Sequence, residues 1–354
     1  MPTFSEVLFE TLPGREGDLG VITLNRPEVL NSLNHDMIKA MDGQLKIWAD
    51  QPQIKAVIIR AAPGRAFCAG GDLRLTYQRF HHDDARLIEF FIDEYELNRT
   101  IFHYPKPYIA LLDGITMGGG AGISIHGSHR VATERLLFAM PEVGIGFYPD
   151  VGGCYFLSRL PHFTGFYLGL TGTKIASDDC VALGIAQFKI PSEKIPTLVA
   201  MLADTPLSSE PKKIVDSIIS KFQVEAGPAL LAPTYPTIES AFSQQSVENI
   251  MHSLEADHEN PLAQAILAEM EKKSPTSLKV TFKALMKARH QDFNAVMEQD
   301  LCLTQHFMQG HDFFEGIRSV IIDKDQRPHW QPSRLILVTD KLVDSYFQAV
   351  EDTA

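Results

Sequence analysis

Cysteine is scarce in this chain. Its 354 residues hold four, Cys68, Cys154, Cys180 and Cys302, with no CxxC pair among them. That scatter gives neither a disulfide framework nor a cysteine-based zinc site, and it suits a reducing compartment. Positive charge is short as well. The 32 Lys and Arg are outnumbered by 44 Asp and Glu, for a formal net charge of -12. General nucleic-acid binding, which needs basic surface to replace counterions around phosphates, is not expected. One anionic small ligand held by local Arg and Lys remains compatible with the charge. No apolar run approaches the roughly 20 residues of a membrane helix. The opening "MPTFSEVLFETLPGREGDLGVITL" has neither a cationic leader with an apolar stretch nor an Arg- and Ser-rich amphipathic presequence. A soluble, cytoplasmic protein is the expectation.

The hydrophobic share of 45% provides for a sizeable buried core. "GVITLN" (20–25), "KAVIIRA" (55–61) and "PYIALLDG" (107–114) are short aliphatic runs closed by turn residues, as buried strands are. Between the first two, Met37, Ile38, Met41, Leu45 and Trp48 recur at helical spacing, with Asn34 or Asp36 as the cap. "RLIEFFIDEYELNRTIFHY" predicts a second amphipathic helix that ends before Pro105. Strands and helices that alternate in this way predict an α/β layer architecture. After "DTPLSSEPKK" the pattern turns almost wholly helical. The chain is therefore divided into an α/β core, 1–205, which carries the expected site, and a mainly helical region, 206–354.

Two glycine clusters follow strands: "GRAFCAGGD" (64–72) and "GITMGGGAG" (114–122). Neither is a dinucleotide fingerprint, because Ile123 or Ile125 stands where the third glycine of G-x-G-x-x-G belongs, and neither continues into the Gly-Lys-Ser/Thr of a P-loop. "GISIH" misses the esterase elbow around Ser124 by its last residue, His126. His126 and His129 lack a third ligand nearby, so no metal site is expected. What remains is two glycine turns on different strands, each able to offer a backbone N–H. Two convergent N–H groups are what an oxyanion hole requires.

A third stretch, "PEVGIGFYPDVGG" (141–153), sets Glu142 and Asp150 among apolar residues and glycines with no other charge. Carboxylates in a weakly polar setting are poorly solvated, which raises their basicity and nucleophilicity. Together "RAFCAGGDLR", "GITMGGGAGISIHGSHRVATE" and "FAMPEVGIGFYPDVGG" resemble the crotonase (enoyl-CoA hydratase/isomerase) superfamily. "YLGLTG", "SPTSLKVT" and "DFFEGIRSVIIDKDQRPHW" extend the likeness over residues 5 to about 335 and are similar to its hydrolase branch.

The resemblance implies a spiral of ββα units in two near-perpendicular sheets, followed by helices. It implies an acyl-CoA thioester as the substrate. By motif position, Gly71 and Gly119 would supply the oxyanion N–H groups, Glu142 and Asp150 the active-site acids, and Glu94 a further substrate contact. In the family's hydratases a catalytic glutamate stands two residues beyond the glycine triplet; here that place is Gly122. The implied reaction is therefore hydrolysis of a short branched 3-hydroxyacyl-CoA, 3-hydroxyisobutyryl-CoA first, as in valine breakdown. Glu142 would act as nucleophile or base. Hydratase or isomerase activity and an idle CoA-binding scaffold are the alternatives. No metal or redox cofactor is implied, since coenzyme A enters with the substrate. Arg26, Arg65 and Arg74 lie near the matching segments as candidates for the CoA phosphates, with none singled out. The family's habit of trimer formation makes a homo-oligomer an expectation too.

Overall fold

The structure, a computed structural model, describes residues 6–82, 86–207 and 210–350. The aliphatic runs form strands. β1 (Val7–Leu12), β2 (Asp18–Leu24), β3 (Ile54–Ala61), β5 (Tyr108–Leu112), β7 (His129–Ala132) and β10 (Phe188–Lys189) make one sheet, in the order β1-β2-β3-β5-β7-β10. β1 is antiparallel to β2, and every later neighbour is parallel. A second sheet is built from β4 (Ala66–Cys68), β6 (Ile115–Met117), β8 (Leu137–Ala139) and β9 (Ile175–Ala176), in that order. The chain therefore repeats one move: β3 to β4, β5 to β6, and β7 to β8 each pass from the large sheet to the small one. The α/β class read from the sequence, and the two sheets that the resemblance implied, are observed.

Alternation along the strands decides what each face buries. Leu19 and Val21 of β2, with Ala56 and Ile58 of β3, pack against Leu198 and Ile218. These last two come from the helices Ile195–Asp204 and Pro211–Ser220, which cover that face of the sheet.

α1 (His35–Asp50) buries all five residues of the predicted apolar stripe. Asn34, not Asp36, is its cap, accepting the Met37 N–H at 3.0 Å. Its amide also donates to Glu6 Oε2 at 2.7 Å. Asn34→Ala should lower stability by about 1 kcal/mol in urea unfolding, and Asn34→Asp by less, because Asp keeps the capping oxygen. α2 (Leu73–His81) follows β4, and α3 (Arg86–Phe102) is the second predicted helix.

No strand follows β10 among the described residues. Two compact units draw on three chain segments each and do not part at residue 205. One takes the chain up to Gly71, Asp93–Phe138 and Ile175–Leu230; the other takes Asp72–Ile92, Ala139–Lys174 and the chain from Leu231 on.

Candidate active site

In the first unit β4 and β6 lie side by side and parallel, with Ala66 opposite Ile115 and Cys68 opposite Thr116. The chain leaves both strands at the same end, and it does so on glycines. Gly70 and Gly118 have φ of +102° and +50°, values that side chains disfavour. The first turn is braced by residues 30–33: Ala69 N–H donates to Leu30, Leu33 N–H donates to the Gly70 carbonyl at 2.8 Å, and Leu33 bridges Gly71. After the second turn Gly119 opens α4 (Gly119–Gly122). An N–H in a helix's first turn has no acceptor within the helix.

The two turns touch. A Cβ placed on Gly119 would lie 3.5 Å from Gly71 N and 2.5 Å from Glu94 Oε1. Glu94 is 2% exposed, so its carboxylate is directed at the glycine turn and not at water. α3, which carries it, is tied to α1 by His35 Nε2 and Asp93 at 2.6 Å, and by Thr100 and Asp42 at 2.7 Å. The structure thus brings Gly71, Gly119 and Glu94 together, with two backbone N–H groups on adjoining turns. Donors of this kind stabilise a developing oxyanion. Cys68, at the same turn, is no nucleophile. Burial pushes its thiol up to about 12, with Glu94 adding to the rise and the Gly70 carbonyl opposing it.

The second unit holds Glu142 and Asp150, 7% and 5% exposed. The chain reaches Glu142 just beyond β8. Glu142 starts the short 3-10 turn Glu142–Ile145, which Gly146 ends at φ +69°. The segment after it is anchored by Phe147, whose carbonyl accepts the Ser277 hydroxyl and whose ring stacks on Phe313 at 4.4 Å. The Cys154 thiol is raised well above its ordinary range, first by burial and then by Asp300, Asp150 and Glu142. Burial and the field of three carboxylates therefore keep this thiol protonated. The sequence showed the two acids in a charge-free stretch. It did not show Asp300, nor Lys273, whose ammonium comes within 4.0 Å of a Cβ placed on Gly144. Lys273 is paired with Glu269 at 2.5 Å.

Two of the three candidate phosphate ligands, and both histidines, have structural work; Arg65 is exposed. Arg26 pairs with Glu6 at 3.0 Å and donates to the Ser32 carbonyl, and Arg74 donates to the Ile321 carbonyl. His129 contacts the Ser128 hydroxyl and the Lys212 carbonyl, while His126 lies edge-on to Phe102.

Comparison with known proteins decides the family. The enoyl-CoA hydratase/isomerase family profile matches residues 19–347. The chain belongs to this family. Among family members with curated names, the mitochondrial 3-hydroxyisobutyryl-CoA hydrolase of Xenopus tropicalis is 44% identical over 96% of this chain and 89% of its own length. The hydrolase of the same name from Danio rerio is 43% identical over 98% of this chain and 91% of its own. Among solved structures of the family, a carnitinyl-CoA dehydratase from Mycobacterium thermoresistibile superposes with a TM-score of 0.89 at 35% identity, over 98% of this chain and 97% of its own. The expected cytoplasmic location is corrected by these findings: the named relatives are mitochondrial hydrolases, not cytoplasmic ones. That expectation rested on the scattered cysteines, the lack of a membrane-length apolar run and the composition of the first residues, none of which fixes a compartment.

Proposed function

We propose that the protein hydrolyses 3-hydroxyisobutyryl-CoA to 3-hydroxyisobutyrate and CoA, a step of valine breakdown. One observation carries this reading. Curated relatives at 44% and 43% identity, matched over nearly the full length of both chains, are hydrolases of that thioester. The sequence gives independent support. Gly122 stands where the family's hydratases have a glutamate, so one of the two carboxylates of water addition is lacking.

In the proposed mechanism the N–H groups of Gly71 and Gly119 hold the thioester oxygen as it becomes an oxyanion. Glu142 attacks the carbonyl carbon, giving a mixed anhydride that water opens, or it takes a proton from the attacking water. Either way the C–S bond breaks and CoA leaves as a thiolate that then gains a proton. Asp150 orients the water or the substrate hydroxyl, and Glu94 positions the acyl group. The thiolate is a good leaving group, so the step calls for no metal or redox cofactor. These joint roles are carried by the family motifs in which the residues stand.

Hydratase activity is the second reading, favoured by the dehydratase whose structure is so similar. The two separate in one preparation. Rapid release of free CoA from 3-hydroxyisobutyryl-CoA, read with a thiol reagent, is expected. Little ultraviolet loss of the enoyl thioester of crotonyl-CoA is expected beside it. Efficient hydration without thiol release would sink the hydrolase reading.

A further inference from the structure

The helix Phe293–Gln309 takes no part in the chemistry proposed above, yet its middle buries polar side chains. Asp300 and Thr304, one turn apart on the same face, have no exposed surface. Burying a carboxylate costs free energy unless hydrogen bonds replace its water. One such bond of Asp300, and one from its backbone, go to the loop that carries Asp150. Its Oδ2 accepts the Gly152 N–H at 2.8 Å. Its backbone carbonyl accepts the Tyr148 hydroxyl at 2.7 Å, and that hydroxyl is also 3.0 Å from Thr304 Oγ1. The loop is gripped on both sides of Asp150.

The gripped segment is strained. Val151 has φ +51° and Gly152 +73°, two successive left-handed residues, and the Gly153 N–H closes the turn on the Asp150 carbonyl at 2.6 Å. For a β-branched residue the left-handed region is a true outlier. Such strain persists only where the surroundings enforce it, and it gathers at functional sites. Relaxation of Val151 to an extended conformation would open the turn and swing Asp150 away.

We infer that Asp300 is a positioning residue for the hydrolysis: by holding the Gly152 N–H, its carboxylate keeps Val151 in the left-handed turn and so fixes the direction of Asp150. The inference rests on the role proposed for Asp150.

The test measures CoA release from 3-hydroxyisobutyryl-CoA by full-length variants, with thermal unfolding alongside. Asp300→Ala is expected to lower kcat about 100-fold, as a displacement of about 1 Å does, with KM changed less than about threefold. Asp300→Asn keeps an oxygen that accepts the same bond, so its kcat should stay about tenfold above that of D300A. Adding Val151→Gly to D300A should restore about tenfold, because glycine takes up the left-handed turn without the clamp. A residue that merely stabilises the fold would show no such rescue. In the Asp150→Asn background D300A should cost little more, since residues acting as a unit are non-additive. If D300A does not fold, Asp300→Ser replaces it, being one bond too short to meet the Gly152 N–H.

Normal kcat in D300A beside an impaired D150N overturns the inference. So does an equal loss in D300N and D300A, or a failure of V151G to rescue. Wild-type turnover in D150N would instead bring down the role proposed for Asp150, so the two failures are distinct.

Discussion

Glu142→Gln is expected to remove nearly all CoA release while leaving the fold unchanged. The amide matches the carboxylate in size and keeps a hydrogen-bonding oxygen, but it is neither a nucleophile nor a base. Loss of general-base action alone costs on the order of 100- to 10,000-fold. Glu142 is 7% exposed, so its environment offers little bulk water to substitute for it. Binding should persist, because the CoA portion of the substrate does not depend on this carboxylate. The measurement is kcat beside a Kd for a non-hydrolysable CoA thioether. Near-normal turnover in a folded Glu142→Gln enzyme would remove Glu142 from the chemistry. A single turnover of the wild-type protein in heavy-oxygen water then tests the nucleophilic role, which label in the Glu142 peptide would establish; label in the hydroxy acid alone fits either role. An anhydride opened at the enzyme carbonyl leaves label in the Glu142 peptide, whereas water acting on the acyl carbon puts it in the released hydroxy acid.

How much of this was legible in the sequence depends on the range over which each feature is determined. β2, β3 and β5 are buried on both faces, so their aliphatic runs stood out. The stripe of α1 was equally plain, but its cap was not, because Asn34 and Asp36 are both good capping residues and only the Met37 N–H chose between them. β9 and β10 have two residues each and no local pattern to read. Their pairing is a tertiary fact. The adjoining glycine turns were visible as turns, and the parallel alignment of β4 with β6 is what puts them in contact. Asp300 was hidden most completely. In "NAVMEQDLCLTQHF" it occupies an unremarkable polar place on a helix, and only the fold shows that this place is fully buried against a strained loop more than a hundred residues earlier.

Gly119→Val should cost on the order of 100- to 1,000-fold in kcat, the usual loss when one oxyanion donor goes. The cause is written in the spacing of the turn. The first carbon of any side chain at this position would meet Glu94 Oε1 at 2.5 Å and Leu33 Cδ1 at 3.2 Å. Leu33 is fully buried and bridges Gly71, so it has little room to give. The two further methyl groups of valine need still more room. The turn must shift, and the Gly119 N–H turns with it. Gly119→Ala is the gentler probe, since it adds a single carbon, which meets Glu94 first. Two causes then compete: displacement of Glu94, or misdirection of the N–H. Pairing Gly119→Ala with Glu94→Ala removes the closest clash and resolves them. If the displaced Glu94 was the whole effect, the double variant matches Glu94→Ala alone. If the N–H is what the reaction needs and the Leu33 contact still tilts it, the double variant falls below that level. Near-normal turnover in a folded Gly119→Val protein would take Gly119 out of the oxyanion hole altogether.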